Sequence, residues 1–373
     1  MTGEDSPVTG FIDLGTNSAR LLVVRLNPNH SFAVLTRQKE LVRLGEGEFG
    51  DDTLTHEAIE RTVLVLTRFA EIARTFGAGE IIAVATSATR DARNRDELIS
   101  RVHERAGLDL RVISGVEEAR LIWLGVSGGL VPFDGERLFI DIGGGSTEII
   151  IGDQMSVSFL RSLKLGAIRT TGMFIPPDHT GPVPGPVVRA IQLHIRDQVT
   201  HVVREVRKKG ITGAVGSSGT IGAIESVAAC MKDLPVPHRP GFISISELSR
   251  VSAYLSSLTL KERREVPGLT PAGADCPHLP GWQRVALNPI FAVQLRRRDE
   301  LLHPVYAKVI AEARIPKFRP QNPLLLLLHP PPGLQRQPDN DFQFRVRNCH
   351  RRVRIQQLDQ PAHRLVHGLD VAS

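Results

Sequence analysis

The chain has 373 residues, 41% hydrophobic and 23% charged, enough for two domains with ordinary globular cores, and its longest apolar runs, such as Leu324 to Leu328, are far too short to cross a bilayer. The net charge of +6 does not mark a nucleic-acid binder, because 15 Lys and Arg stand against 7 Asp and Glu from Cys276 onward, leaving 31 against 33 before it, with no aromatic residues interleaved among the basic ones. Cys230, Cys276 and Cys349 have neither metal-ligand spacing nor an even count for a disulfide framework, and the opening MTGEDSPVTG has no secretory h-region, so reduced thiols and a cytoplasmic location with no membrane partner are expected.

In chain order, residues 11–26 and 31–37 read as strands, and 43–47 as a Gly-rich turn. Ile59, Val63, Leu66, Phe69 and Ala73 then fall at helical spacing, and Phe76 and Gly77 end that helix. A strand at 81–85 precedes a polar turn at 86–94, and Asn94 to Glu97 has the pattern of a capping box opening a helix that ends at Gly107. After a strand at 110–113, Ser114 to Glu117 again reads as a capping box. There Glu117 folds back on the cap, while Glu118, about 100° further round the helix, is free to act. Residues 125–135 read as an exposed connection, followed by strands at 138–151 and 157–163 and a turn at 164–169. A Pro/Gly-rich loop at 175–186, a helix at 187–208 and a strand ending in GAVGSSGT at 213–220 follow. Strands alternating with helices predict an α/β protein.

Within this order one phrase occurs twice: FIDLGTNSARLLV at 11–23 and FIDIGGGSTEIII at 139–151. Each copy is an apolar strand, an Asp, a Gly-containing turn with hydroxyl residues, and a second apolar strand. Gly15 in the first turn, and Gly143, Gly144 and Gly145 in the second, have no Cβ, so consecutive amides can curl around an anion. Thr16, Ser18, Ser146 and Thr147 add hydroxyls, and Asp13 and Asp141 can hold a divalent cation or its waters. One such hairpin could be an ordinary turn whose Asp and Ser satisfy local amides. Two copies point instead to phosphate. Gly216 and Ser217, in the turn before a helix, suit an anion or nucleotide in the same way.

Seven motifs in this order resemble the exopolyphosphatase/guanosine pentaphosphate phosphohydrolase family, within the actin-like superfamily. They are IDLGTNSARLLV at 12–23, VRLGEG at 42–47, ATSATRDARN at 85–94, VISGVEEARLIWLGV at 112–126, IDIGGGSTEI at 140–149, LKLGAIRTT at 163–171 and VGSSGT at 215–220. The resemblance implies two actin-like (ribonuclease H-like) α/β domains at 1–125 and 126–275, with a phosphate-binding cleft between them. It implies hydrolysis of a terminal phosphoanhydride of inorganic polyphosphate or guanosine pentaphosphate, with Glu118 as general base and Mg2+ held by Asp141 and Glu148. Asp13, Gly15, Thr16, Asn17 and Ser18 would form one phosphate loop and 143–147 the facing one, with Arg90 neutralising the chain. It leaves the assembly open, a homodimer included.

The resemblance stops near 275. The remaining 98 residues carry 12 of the 25 prolines and 6 of the 13 histidines, and the Arg and Pro clusters at 296–298, 330–332 and 351–352 fit no helix or strand pattern. An atypical, disordered tail at 276–373 is expected, either an out-of-frame or otherwise replaced terminus or a lineage-specific extension, leaving the second domain incomplete. Two other functions follow from these features: a polyphosphate- or alarmone-binding protein without turnover, and a kinase or ATPase of the same superfamily in which Glu118 would be idle.

Overall fold

The computed structural model describes residues 6–27, 31–46, 52–130, 133–211, 213–231 and 241–269, and the backbone of 293–295. These lie in one compact unit, Met1–Phe318; apart from 293–295, the tail expected at 276–373 is outside the described residues.

The first lobe contains β1 (Val8–Leu14), β2 (Ser18–Leu26), β3 (Phe32–Leu41), α1 (His56–Thr75), β4 (Glu80–Ala85), α2 (Ser87–Asp91), α3 (Arg95–Ala106) and β5 (Leu110–Val112). Its sheet has the order β3-β2-β1-β4-β5, with β1, β2 and β3 antiparallel and β1, β4 and β5 parallel. All five apolar positions spaced along α1 are buried, and they pack with Ile12, Leu14, Leu21 and Val23 of the sheet and Leu98 and Val102 of α3. Thr55 caps α1, its side chain accepting from the Ala58 amide at 3.2 Å.

α3 starts at the expected place by a different device. Asn94 spends its side chain on Leu54, accepting from the backbone N–H at 2.9 Å and donating to the carbonyl at 3.0 Å. It tethers a segment 40 residues away and makes no hydrogen bond to its own helix's amides as a cap.

Next comes α4 (Gly115–Gly129), then β6 (Arg137–Ile142), β7 (Thr147–Gly152), β8 (Val157–Leu163), α5 (Ala167–Phe174), α6 (Gly185–Lys208), β9 (Ala214–Ser217), α7 (Ser218–Cys230), β10 (Phe242–Ile243), α8 (Ile245–Ser257), α9 (Leu260–Arg264) and β11 (Val293–Leu295). The second sheet has the order β10-β11-β9-β6-β7-β8. Without β10 it repeats the first: β6, β7 and β8 are antiparallel, and β9 and β11 continue parallel to β6. The fifth strand therefore comes from the segment in which the sequence shows no strand pattern. Three residues are too few for an alternation to stand out beside Pro and Arg clusters.

α4 is the connection between the lobes, and it packs on the second. Ala119, Ile122, Trp123 and Val126 bury against Phe139 and Ile150 of the second sheet. The exposed connection expected from 125 thus begins later, since α4 runs to Gly129 with Val126 and Ser127 buried; the 125/126 division lies inside this helix. The Trp123 indole N–H donates to the Asp153 carbonyl at 2.9 Å in the β7–β8 turn, pinning the helix that carries Glu118. Trp123→Phe should lower stability by about 1–2 kcal/mol through the lost hydrogen bond and volume. Urea unfolding followed by circular dichroism measures this, and an unchanged midpoint would show that the docking of α4 does not rest on the contact.

Candidate active site

The site residues gather at the carboxyl ends of the parallel strands of both sheets, where α/β sheets place ligands. Asp13 to Ser18 run from the end of β1 through the turn to the start of β2, Arg90 follows β4, Glu118 follows β5, Asp141 to Ser146 run from the end of β6 through the next turn, and Gly216 and Ser217 end β9.

The two Gly turns close alike. The Gly15 amide donates to the Ser18 carbonyl at 3.1 Å, and the Gly143 amide to the Ser146 carbonyl at 3.0 Å. In both turns the other carbonyls are engaged from behind. The Asn17 carbonyl accepts from the Val42 and Arg43 amides and that of Thr16 from Gly45, each at 3.0 Å. In the second turn, Gly143 accepts from Ala167 at 2.9 Å, Gly144 from Ile168 at 2.8 Å and Gly145 from the Arg169 Nε at 2.8 Å. A trans peptide holds its N–H opposite its C=O, so turns tied by their carbonyls can present amide edges on the other side.

Close approach requires the glycines. A Cβ on Gly145 would lie 2.7 Å from Thr16 Oγ1 and 2.5 Å from Ser87 Oγ, so the two turns meet across the lobes. A Cβ on Gly166 would lie 2.2 Å from the Gly144 carbonyl oxygen. Thr147 contributes less than its sequence position promises: its hydroxyl is buried and donates to the Leu165 carbonyl.

Glu118 sits in the first turn of α4, whose cap is Ser114; the Ser114 Oγ accepts from the Glu117 amide at 3.1 Å, and the Glu117 carboxylate pairs with Arg111 at 3.2 Å. Arg90 Nη1 donates to Glu118 Oε2 at 2.9 Å and to the Ile113 carbonyl at 3.1 Å. Burial raises the Glu118 carboxyl from 4.5 to about 7; Arg90 opposes this, and Asp13 and Asp141 add repulsion. Glu148 is pushed well above its ordinary value by burial and by repulsion from Glu118 and Asp141, against hydrogen bonds from Ser162 and Ser146. Asp141 and Glu148 face each other across β6 and β7, and the Ser217 Oγ donates to Asp141 Oδ2 at 2.5 Å. The register partner of Asp13 in the first hairpin is Arg20, so only the second hairpin carries a carboxylate pair.

This donor set fits a hard divalent cation. Among the described residues no group of three or more His, Cys, Asp or Glu side chains forms a metal cage. Mg2+ needs none, since one or two carboxylates with waters and substrate phosphates complete its octahedron. Asp141 and Glu148 could supply that pair, and a cation there would relieve their repulsion.

Sequence reasoning missed Arg169 and Asp91. Arg169 lies inside α5 with its side chain 8% exposed, and its guanidinium pairs with the Asp91 carboxylate while also holding the Gly145 carbonyl. Lys164 takes the other Asp91 oxygen at 3.1 Å. The LKLGAIRTT stretch stood out, but nothing local marks its Arg as buried.

The fold and site define a hydrolase that handles phosphoryl groups on a two-lobed α/β frame. The chain belongs to the Ppx/GppA phosphatase family, whose sequence profile matches residues 22–276. It is 30% identical over 261 residues to exopolyphosphatase 1 of Mycobacterium leprae, covering 70% of this chain and 76% of that protein. The crystal structure of an exopolyphosphatase from Cytophaga hutchinsonii superposes with a TM-score of 0.72 at 24% identity, over 82% of this chain and 98% of that one. The Aquifex aeolicus PPX-GPPA enzyme gives 0.64 at 22% identity, over 82% and 99%.

Two outcomes follow from this geometry. Because the folded-state value of Glu118 lies above 4.5, its contribution to stability is fully present below that pH and is lost as pH rises through about 7. With a chelator present, Glu118→Gln should therefore raise Tm by a few degrees at pH 8, with the gain vanishing towards pH 4.5 in calorimetric scans. Gly166→Ala should cost about 1–3 kcal/mol by driving the second turn out of place, measured by the same scans; a neutral result would mean that the turn moves freely.

Proposed function

We propose that the chain removes the terminal phosphoryl group of inorganic polyphosphate as orthophosphate, with Glu118 as the general base. One observation carries this reading: a carboxylate raised to about 7, oriented by Arg90, at the cleft where two phosphate-type turns meet. A base in that range can take a proton from water at neutral pH and release it again.

The terminal phosphoryl group sits between the turns, its oxygens on the amides of 16–18 and 144–146, since those of Gly15 and Gly143 close the turns. Water is oriented by Glu118 on one side of the phosphorus and the rest of the chain leaves from the other, in line. The water oxygen bonds to phosphorus as its proton passes to Glu118. The bridging P–O bond breaks, and its electron pair leaves with the shortened chain. Arg90 holds the Glu118 carboxylate in place during attack. Mg2+ bound by Asp141 and Glu148 would supply charge neutralisation at the transferring oxygens. Gly216 and Ser217 lie on the leaving side and meet the next phosphates.

The test is orthophosphate release from long-chain polyphosphate in Mg2+, with guanosine pentaphosphate alongside to separate the two substrates. Chelation should stop release, and Glu118→Gln should lower kcat by about 10²–10⁴-fold while polyphosphate binding persists. A Glu118→Gln protein that turns over like the parent overturns the assignment. Binding by a parent that releases nothing would favour a sensor.

A further inference from the structure

An open pocket of about 270 Å³ lies beside this centre, lined among others by Ser87, Arg90 and Asp91 of the first lobe and Ser146, Arg161 and Lys164 of the second. Its second-lobe lining comes from Ser146 and from 161–164, and neither Gly216 nor Ser217 borders it. In the sheet, β9 borders β6 on one side, whereas β7 and then β8, which leads into Lys164, lie on the other. We propose that this pocket is the exit site for orthophosphate, taking the product out past Glu118 while the shortened chain stays in the front of the cleft. The inference rests on the reading given under Proposed function.

The argument begins with in-line geometry. Water and leaving group occupy opposite sides of the phosphorus, so the side with Glu118 is the side without the chain. Arg90 belongs to both places: it binds the Glu118 carboxylate at 2.9 Å and lines the pocket. When the leaving group is a polymer, the front remains filled after each cleavage. Orthophosphate held between the turns then has its free path to the rear.

The lining suits that anion. Arg161 and Lys164 give two cations against the single carboxylate of Asp91, which Arg169 also neutralises, while the third cation, Arg90, is paired with Glu118. The Arg161 guanidinium lies 5.3 Å over the Phe159 ring. Ser87 is 2% exposed, and its hydroxyl is buried against the second turn with no partner. A rear exit would also let successive phosphates be removed without release of the chain.

Arg161→Ala combined with Lys164→Ala tests the proposal, since both side chains are exposed and their loss should leave the circular dichroism spectrum unchanged. Losing two charge-assisted contacts should weaken inhibition by orthophosphate about tenfold, while KM for polyphosphate stays within about twofold. Lys208→Ala on α6 controls for the general field and should change neither. A rise in KM with unchanged orthophosphate inhibition would make the pocket a subsite for the chain and overturn the exit. If neither changes, the pocket takes no anion and the proposal fails. Titration of the full-length protein with inorganic phosphate, followed by ³¹P NMR line broadening, reads the site without turnover. Weaker binding by the double variant supports the pocket even if the hydrolytic reading fails, and equal binding overturns it.

Discussion

The five-residue helix α2 is what the rest of the site leans on. Its adjacent residues Arg90 and Asp91 serve two different parts: Arg90 holds the Glu118 carboxylate, and Asp91 holds Arg169, whose Nε holds the Gly145 carbonyl. One short element of the first lobe thus fixes both the base at the start of α4 and the phosphate turn of the second lobe. The burial of the Asp91–Arg169 pair matters here. An exposed pair would be worth little, but loss of Asp91 from this buried one leaves the Arg169 charge uncompensated, and loss of Arg169 leaves Asp91 only the exposed Lys164.

Against this ordering works the mutual repulsion of four acids. Asp13, Glu118, Asp141 and Glu148 share one region, and the carboxyls of Glu118 and Glu148 are raised first by burial and then by repulsion from their acidic neighbours. Such a cluster is maintained where a cation or a transferred proton needs it. The repeat itself shows where the cost is concentrated. Both hairpins place an Asp at the end of the first strand, but its cross-strand neighbour is Arg20 in one copy and Glu148 in the other. One substitution within a duplicated frame turns the second hairpin into a candidate metal-binding hairpin, while the first keeps its opposite charges matched.

Much of this was legible in the sequence because it is local. The two hairpins, the α1 stripe from Ile59 to Ala73 and the Ser114 cap all depend on residues a few positions apart, where periodicity and turn chemistry operate. What could not be read is non-local. The Asp91–Arg169 pair joins residues 78 apart, and the Asn94 bonds to Leu54 span 40, so the first was invisible and the second passed for an ordinary cap. Thr147 shows the same limit within a motif, since a hydroxyl beside a Gly turn looks like a phosphate ligand until its carbonyl partner at Leu165 is known.

The fifth strand of the second sheet bears most directly on the odd C-terminal text. In the first lobe the fifth position is held by β5, which leads straight into α4 and Glu118; in the second it is held by Val293–Leu295, parallel to β9 and flanked by β10. A parallel edge leaves a row of backbone donors and acceptors, and β9 offers one to whatever short extended segment can reach it. Pairing of this kind asks little of the side chains, because the ladder is made by backbone groups. A segment whose composition departs from the rest of the chain can therefore occupy the place. Glu118 and both phosphate turns depend on β1, β4, β5 and β6, all within the segment from 8 to 142, so the chemistry is anchored in the part of the chain that carries the family's motifs.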